Sequence, residues 1–214
     1  MGQYYMPLVV KNNKISTFYS HDYNNGLKLM EHSYVGNRFV NAVLTAIRGN
    51  RARIAWIGDY SDNPYKDAYS EKLSHDKFMR YYNDTWGRYK DKYKITPEAE
   101  DVMNMESKGF LINHSQKIYI DMAEYISANK WHEEYDAYNR QTGNVEHRSY
   151  DMCVNPLPLL TACGNDRGGG DYHSSRPDYD KVGTWAFDVI EYAENAEQLP
   201  EGYEEVTYRF KEEM

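Results

Sequence analysis

Leucine, isoleucine, valine and phenylalanine are scarce, together 37 of 214 residues or about 17%. In a strongly charged chain such a shortage accompanies disorder, so folding must draw on other side chains for burial. Cysteine is nearly missing. Cys153 and Cys163 are the only two, with no CxxC pair, so a disulfide framework is not indicated and a reducing compartment fits better. No Pro/Gly/Ser-rich linker divides the chain, so one compact domain over residues 1–214 is expected. No apolar run approaches the roughly 18 residues of a membrane helix. The start "MGQYYMPLVVKNNK" lacks a basic leader region, and Met6 stands where a myristoylation pattern needs Ser or Thr. The expectation is a cytoplasmic protein without a membrane partner. An excess of basic residues is lacking too: 25 Lys and Arg face 33 Asp and Glu, a formal charge of −8. Direct nucleic-acid binding, which needs cations to displace counterions, is therefore not expected.

What the chain has is tyrosine. Its 22 Tyr, 4 Trp and 9 Met supply the missing apolar area, and each phenol tip needs a hydrogen-bond partner at the rim of the core. The charge is uneven: residues 188–214 hold nine acids against Arg209 and Lys211, a net −7. That acidic C-terminal segment, with Tyr192, Tyr203 and Tyr208 interspersed, reads either as a solvated edge protected by charge or as a surface for a basic partner. Two basic runs, Arg48/Arg51/Arg53 and Arg88/Lys90/Lys92/Lys94, read as solvated faces.

Residues 3–10 and 14–20 predict a hairpin turning at Asn12-Asn13, and Asn25-Gly26 a positive-φ turn. Phe39, Val40, Val43, Leu44 and Ile47 recur at helical spacing within 36–48, ahead of Gly49. Residues 53–60 predict a buried strand, and 70–89 a helix with Ser70 as cap. Residues 109–122 predict a hairpin turning near His114-Ser115-Gln116, and a further hairpin turns around Thr142-Gly143-Asn144. Residues 184–193 and 204–210 read as strands. Neighbouring hairpins favour an α+β fold, a largely antiparallel sheet with two or more amphipathic helices packed on it.

The stretch "GNDRGGGDYH", residues 164–173, carries the densest polar pattern. Consecutive glycines can form a nest of N–H groups for an anion, and Arg167 could clamp it bidentately. The ligand-binding set drawn from it is Asn165, Arg167, Gly168, Gly169, Gly170, Asp171, Tyr172 and His173, with Trp185 stacking on a base. Asp166 and Asp171 would repel a phosphate unless paired or turned away, so a plain connecting loop is the competing reading. Neither the Walker nor the dinucleotide spacing is present. Together with "MGQYY", "GLKLMEHSYVGN", "WIGDY", "PLPLLTACGNDRGGGDY" and "VGTWAFD", this loop resembles an uncharacterised family of bacteriophages and bacteria whose loop reads GNGRGGGDY. Asp166 departs from that pattern. The resemblance spans most of the chain except about 62–108 and the acidic tail. It implies no activity and transfers no catalytic residue; it does imply phage-type tasks, such as countering host defence by blocking a nuclease, sequestering a signalling nucleotide or modifying a host factor.

His21, His32, His75 and His132 each have a carboxylate nearby in sequence, but strand neighbours face opposite ways and no metal-ligand spacing appears, so no metal is expected and the cofactor stays unassigned. His32 and Asp59 are a possible acid/base pair if folding joins them; turn chemistry before Pro64 is the alternative for Asp59. Two function classes remain. One is a binder, or an enzyme, for a small phosphate-bearing or nucleotide-like anion. The other is an acidic, Tyr-rich inhibitor of a host nuclease or another host protein. Tyr-rich edges are compatible with a homodimer.

Overall fold

The computed structural model describes residues 3–61, 71–87, 94–95, 108–138, 141, 143–164 and 172–211. Strands β1 (Tyr5–Lys11) and β2 (Lys14–Thr17) form the first hairpin. Its turn is built as expected, with Asn12 and Asn13 both left-handed at φ 50° and 61°. At the next turn the left-handed residue is Asn24, φ 58°, rather than the Asn25-Gly26 pair. Asn24 closes a single 3-10 turn, Ser20–Tyr23, and its N–H returns to His21 and Ser20.

Helix α1 (Leu29–His32) is one turn; α2 (Arg38–Ile47) is the amphipathic helix the spacing predicts. Asn37 caps it by accepting from the N–H groups of Phe39 and Val40, and all five predicted apolar positions are buried. Strand β3 (Ala52–Gly58) follows. Helix α3 (His75–Trp86) begins later than expected, because Ser74 accepts from Lys77 N–H and is the cap; Ser70 lies outside the described residues. Strands β4 (Phe110–Asn113) and β5 (Ile118–Asp121) flank the turn at His114-Ser115-Gln116-Lys117. Helix α4 (Met122–Asn129) is capped by Asp121. Strands β6 (Trp131–Tyr138) and β7 (Val145–Met152) pair over eight positions, with Gly143 at φ 72° in their turn. Helix α5 (Pro156–Leu160) starts with proline, whose missing N–H costs nothing in a first turn. Strand β8 (Ala162–Cys163), strand β9 (Val189–Ala193) and strand β10 (Glu204–Glu205) complete the chain.

The main sheet runs β10-β5-β4-β9-β3-β1-β2, with β8 also on β3. Most pairs are antiparallel; β3–β8 and β5–β10 are parallel. This is an α+β fold. β3 is its axis: β1 covers one edge, while β9 pairs with its first residues and β8 with its last. Both faces of β3 are buried. Ile54 and Trp56 join the larger core with α2, α4 and α5, whereas Ala55 and Ile57 meet Phe78 and Tyr81 of α3. Aromatic bulk substitutes for branched aliphatics, as Trp56, Trp185, Tyr125, Phe18 and Phe39 are among the largest fully buried side chains.

The predicted strand over 184–193 begins only at Val189. Thr184–Phe187 is turned, with Ala186 N–H bonded to Gly183 and Asp188 N–H to Trp185, and Phe187 sits at φ 65°. Of 204–210 only Glu204–Glu205 pair, against β5. No helix among the described residues is long and apolar enough to cross a membrane.

Candidate functional site

The parallel register Ile57↔Cys163 sets Gly58 beside Gly164. The polar segments that leave β3 and β8 thus begin side by side at the carboxyl ends of two parallel strands, a place where α/β sheets commonly hold ligands. The floor there is tightly filled. Gln3 is fully buried and accepts from the Tyr5 hydroxyl at 2.7 Å. A Cβ on either glycine would collide with the Gln3 side chain, so glycine is needed here for approach rather than for turning. Asp59 closes the end of β3: its Oδ1 accepts from Tyr4 N–H at 3.0 Å, its N–H donates to Tyr4 O, and its carbonyl accepts from Tyr82 Oη at 2.7 Å.

Asn165, Arg167, Gly168, Gly169, Gly170 and Asp171 lie outside the described residues. Tyr172 is buried edge-on to Phe210; its hydroxyl donates to Pro177 O at 2.7 Å and accepts from Lys211 N–H at 3.2 Å, tying the chain to the C-terminal segment. His173 is exposed and engages Ser175. Trp185 does not stack on anything from solvent. It is fully buried, edge-on to Tyr208 with centroids 6.1 Å apart.

His32 and Asp59 are not an acid/base pair. His32 is fully buried; Nδ1 donates to Gly26 O at 3.1 Å while Nε2 accepts from Trp56 Nε1 at 3.1 Å. Both nitrogens are committed to the neutral ring, and burial lowers its pKa from 6.5 to about 4. Cys153 and Cys163 are buried, and burial pushes the Cys153 thiol up to about 12, which keeps it protonated. Among the described residues no cluster of His, Cys, Asp or Glu could hold a metal ion.

Three polar arrangements escape a reading by sequence proximity. Asp188 is not a solvated acid of the tail: it is buried, paired with Lys72 at 2.8 Å, and accepts from Asn113 at 2.9 Å and Gln116 at 2.7 Å. His114 links Glu191 (2.8 Å) to Tyr203 (3.0 Å). The third is the β6–β7 ribbon, which pairs with no other strand among the described residues. One face carries a chain of charges, Asp151–His132–Glu134–His147–Asp136, with contacts of 3.0, 3.4, 3.8 and 3.0 Å. The other face stacks Tyr135 edge-on to Tyr150 at 5.7 Å. Alternation places His132 and Glu134 together and Glu133 opposite.

No protein-family model, curated protein or solved structure matches the chain.

Proposed function

We propose that the protein binds another protein through the β6–β7 ribbon, presenting an acidic, tyrosine-rich surface to a basic face of its partner. One observation carries this reading: along two eight-residue strands twelve of sixteen residues are exposed and none is buried, and Tyr135 (43%), Tyr138 (65%), Val145 (62%) and Tyr150 (42%) are large apolar groups left in solvent. A lone two-stranded ribbon is marginal in water, and aromatic clusters of this kind supply binding energy when covered. Residues 131–152 hold five acids against Arg140 and Arg148, which steers association toward a cationic surface. A polyanion-binding host protein, such as a nuclease, has such a surface. The acids occupy the ribbon rather than only the C-terminal segment, so reversing Glu133, Glu134 and Asp136 to Lys abolishes salt-sensitive capture of a basic partner in cells. Reversing Glu201, Glu204 and Glu205 leaves capture intact. Equal capture by both variants would refute the assignment to the ribbon.

A second reading keeps the small anionic ligand, supported by the adjacency of Gly58 and Gly164 at parallel strand ends. Native mass spectrometry of the purified protein tests it. A bound mass lost in Arg167→Ala supports a ligand there; identical bare masses exclude a tightly held one.

A further inference from the structure

We propose that Tyr203 is a nucleophilic phenol that accepts acyl groups from uncharged activated esters, with His114 as its proton acceptor and Glu191 as the residue that orients the imidazole. The spacing is that of an activated nucleophile: Tyr203 Oη lies 3.0 Å from His114 Nδ1, and His114 Nε2 lies 2.8 Å from Glu191 Oε2. An ionised carboxylate only accepts, so Nε2 carries the hydrogen. Nδ1 of the neutral ring then holds the lone pair, and the phenol donates to it. Burial lowers the His114 pKa, with Arg51 adding to the effect and Glu191 opposing it, so the base is free at neutral pH. Arg51 Nε, 3.7 Å from Glu191 Oε2, is the one cation facing the pair among the described residues' ion pairs.

Each member arrives from a different element. His114 opens the β4–β5 turn, Glu191 lies on β9, and Tyr203 follows Gly202, whose φ of 77° swings the chain toward β10. The imidazole is nearly buried at 6% side-chain exposure, while Tyr203 keeps part of its surface in solvent. The base is thus shielded, while the tyrosine lies partly at the surface. Glu201, Glu204 and Glu205 flank the phenol in sequence and disfavour anionic donors such as acyl phosphates. In the step, the phenol oxygen bonds to the acyl carbon as the ester's alkoxy or aryloxy bond breaks. The phenolic proton passes to His114 Nδ1 and from there to the departing oxygen.

The test uses p-nitrophenyl acetate on the whole protein, with peptide mapping of the acetylated residues. Tyr203 is expected to acetylate at least about 100-fold faster than Tyr138, the gain typical of a positioned general base. In the unmutated protein its rate should already have levelled off at neutral pH, where His114 is deprotonated, a plateau that Tyr138 should not share. Tyr203→Phe removes the fast phase, and His114→Gln and Glu191→Gln slow it, the latter less. Equal rates or superimposable pH profiles at Tyr203 and Tyr138 would overturn the proposal, as would acetyl found on His114 instead. The profile needs no variant, so a His114→Gln protein that fails to fold does not leave the question open.

Discussion

Acidification should unfold this protein through His32 before any surface group matters. The ring is buried against Phe39, edge-on with centroids 4.9 Å apart, and Trp56 donates into the only nitrogen that a second proton could take. Protonation must therefore break that bond and place a charge among aromatics. With the folded pKa lowered to about 4 from 6.5, the unfolded chain binds a proton between those values that the folded chain refuses. Stability is full above pH 6.5 and falls as the pH drops toward 4. At about 1.4 kcal/mol per pH unit, the loss from this one residue is about 3 kcal/mol, a large share of the roughly 5–15 kcal/mol typical of a domain. Urea midpoints from pH 7 to 4.5, for the protein and for His32→Gln, isolate the effect: the variant starts less stable but has the shallower slope. Parallel slopes, or a His32 ring resonance titrating near pH 6.5, would refute the reasoning.

Lys72→Met strands the buried Asp188 carboxylate with only two neutral donors. Removing one member of a buried pair costs about 3–5 kcal/mol, and because Lys72 is 23% exposed the expected loss is nearer about 2 kcal/mol, read from urea unfolding and cancelled in part by Asp188→Asn in the same chain. The ribbon is sensitive at both pH extremes. The Asp151 carboxylate raises the pKa of His132, and His132 lowers that of Asp151. The His132 contribution is therefore full below pH 6.5 and lost as pH rises through its raised value, and that of Asp151 is full above pH 3.8 and lost as pH falls through its lowered value. Amide protection in β6 and β7, relative to intrinsic exchange at each pH, should be highest between these limits, and a flat protection profile would count against the charge chain. Gly164→Ala must displace the Gln3 amide and the Tyr5 hydroxyl from a filled floor, for about 1–3 kcal/mol of stability; a neutral substitution would show that the strand end is loosely packed.

Local chemistry was legible and long-range chemistry was not. Asn12-Asn13, the α2 stripe and the β4–β5 turn could be read because each depends on residues a few positions apart, where periodicity and turn preference act. Ser74 displaced Ser70 as a cap because both are good N-caps and only packing of Phe78 and Tyr81 chooses the register. Trp185 looked like a stacking surface because an aromatic in sequence carries no mark of which way it faces. In a chain this short of leucine and isoleucine, the core takes its large rings from wherever they occur. Asp188, His114 and Glu191 were hidden for the opposite reason: their partners lie 72 or more residues away, and a single sequence carries no signal for such pairings. The apolar flanks of Asp188, in "WAFDVI", were the single hint, since an acid inside a buried run must find a cation or several donors. The same logic makes the ribbon informative. Trp131 anchors it on the core, but among the described residues Tyr135, Tyr138, Tyr150 and the acids Glu134, Asp136, Glu146 and Asp151 stay exposed, so the side chains that look wasted there are the ones a partner would explain.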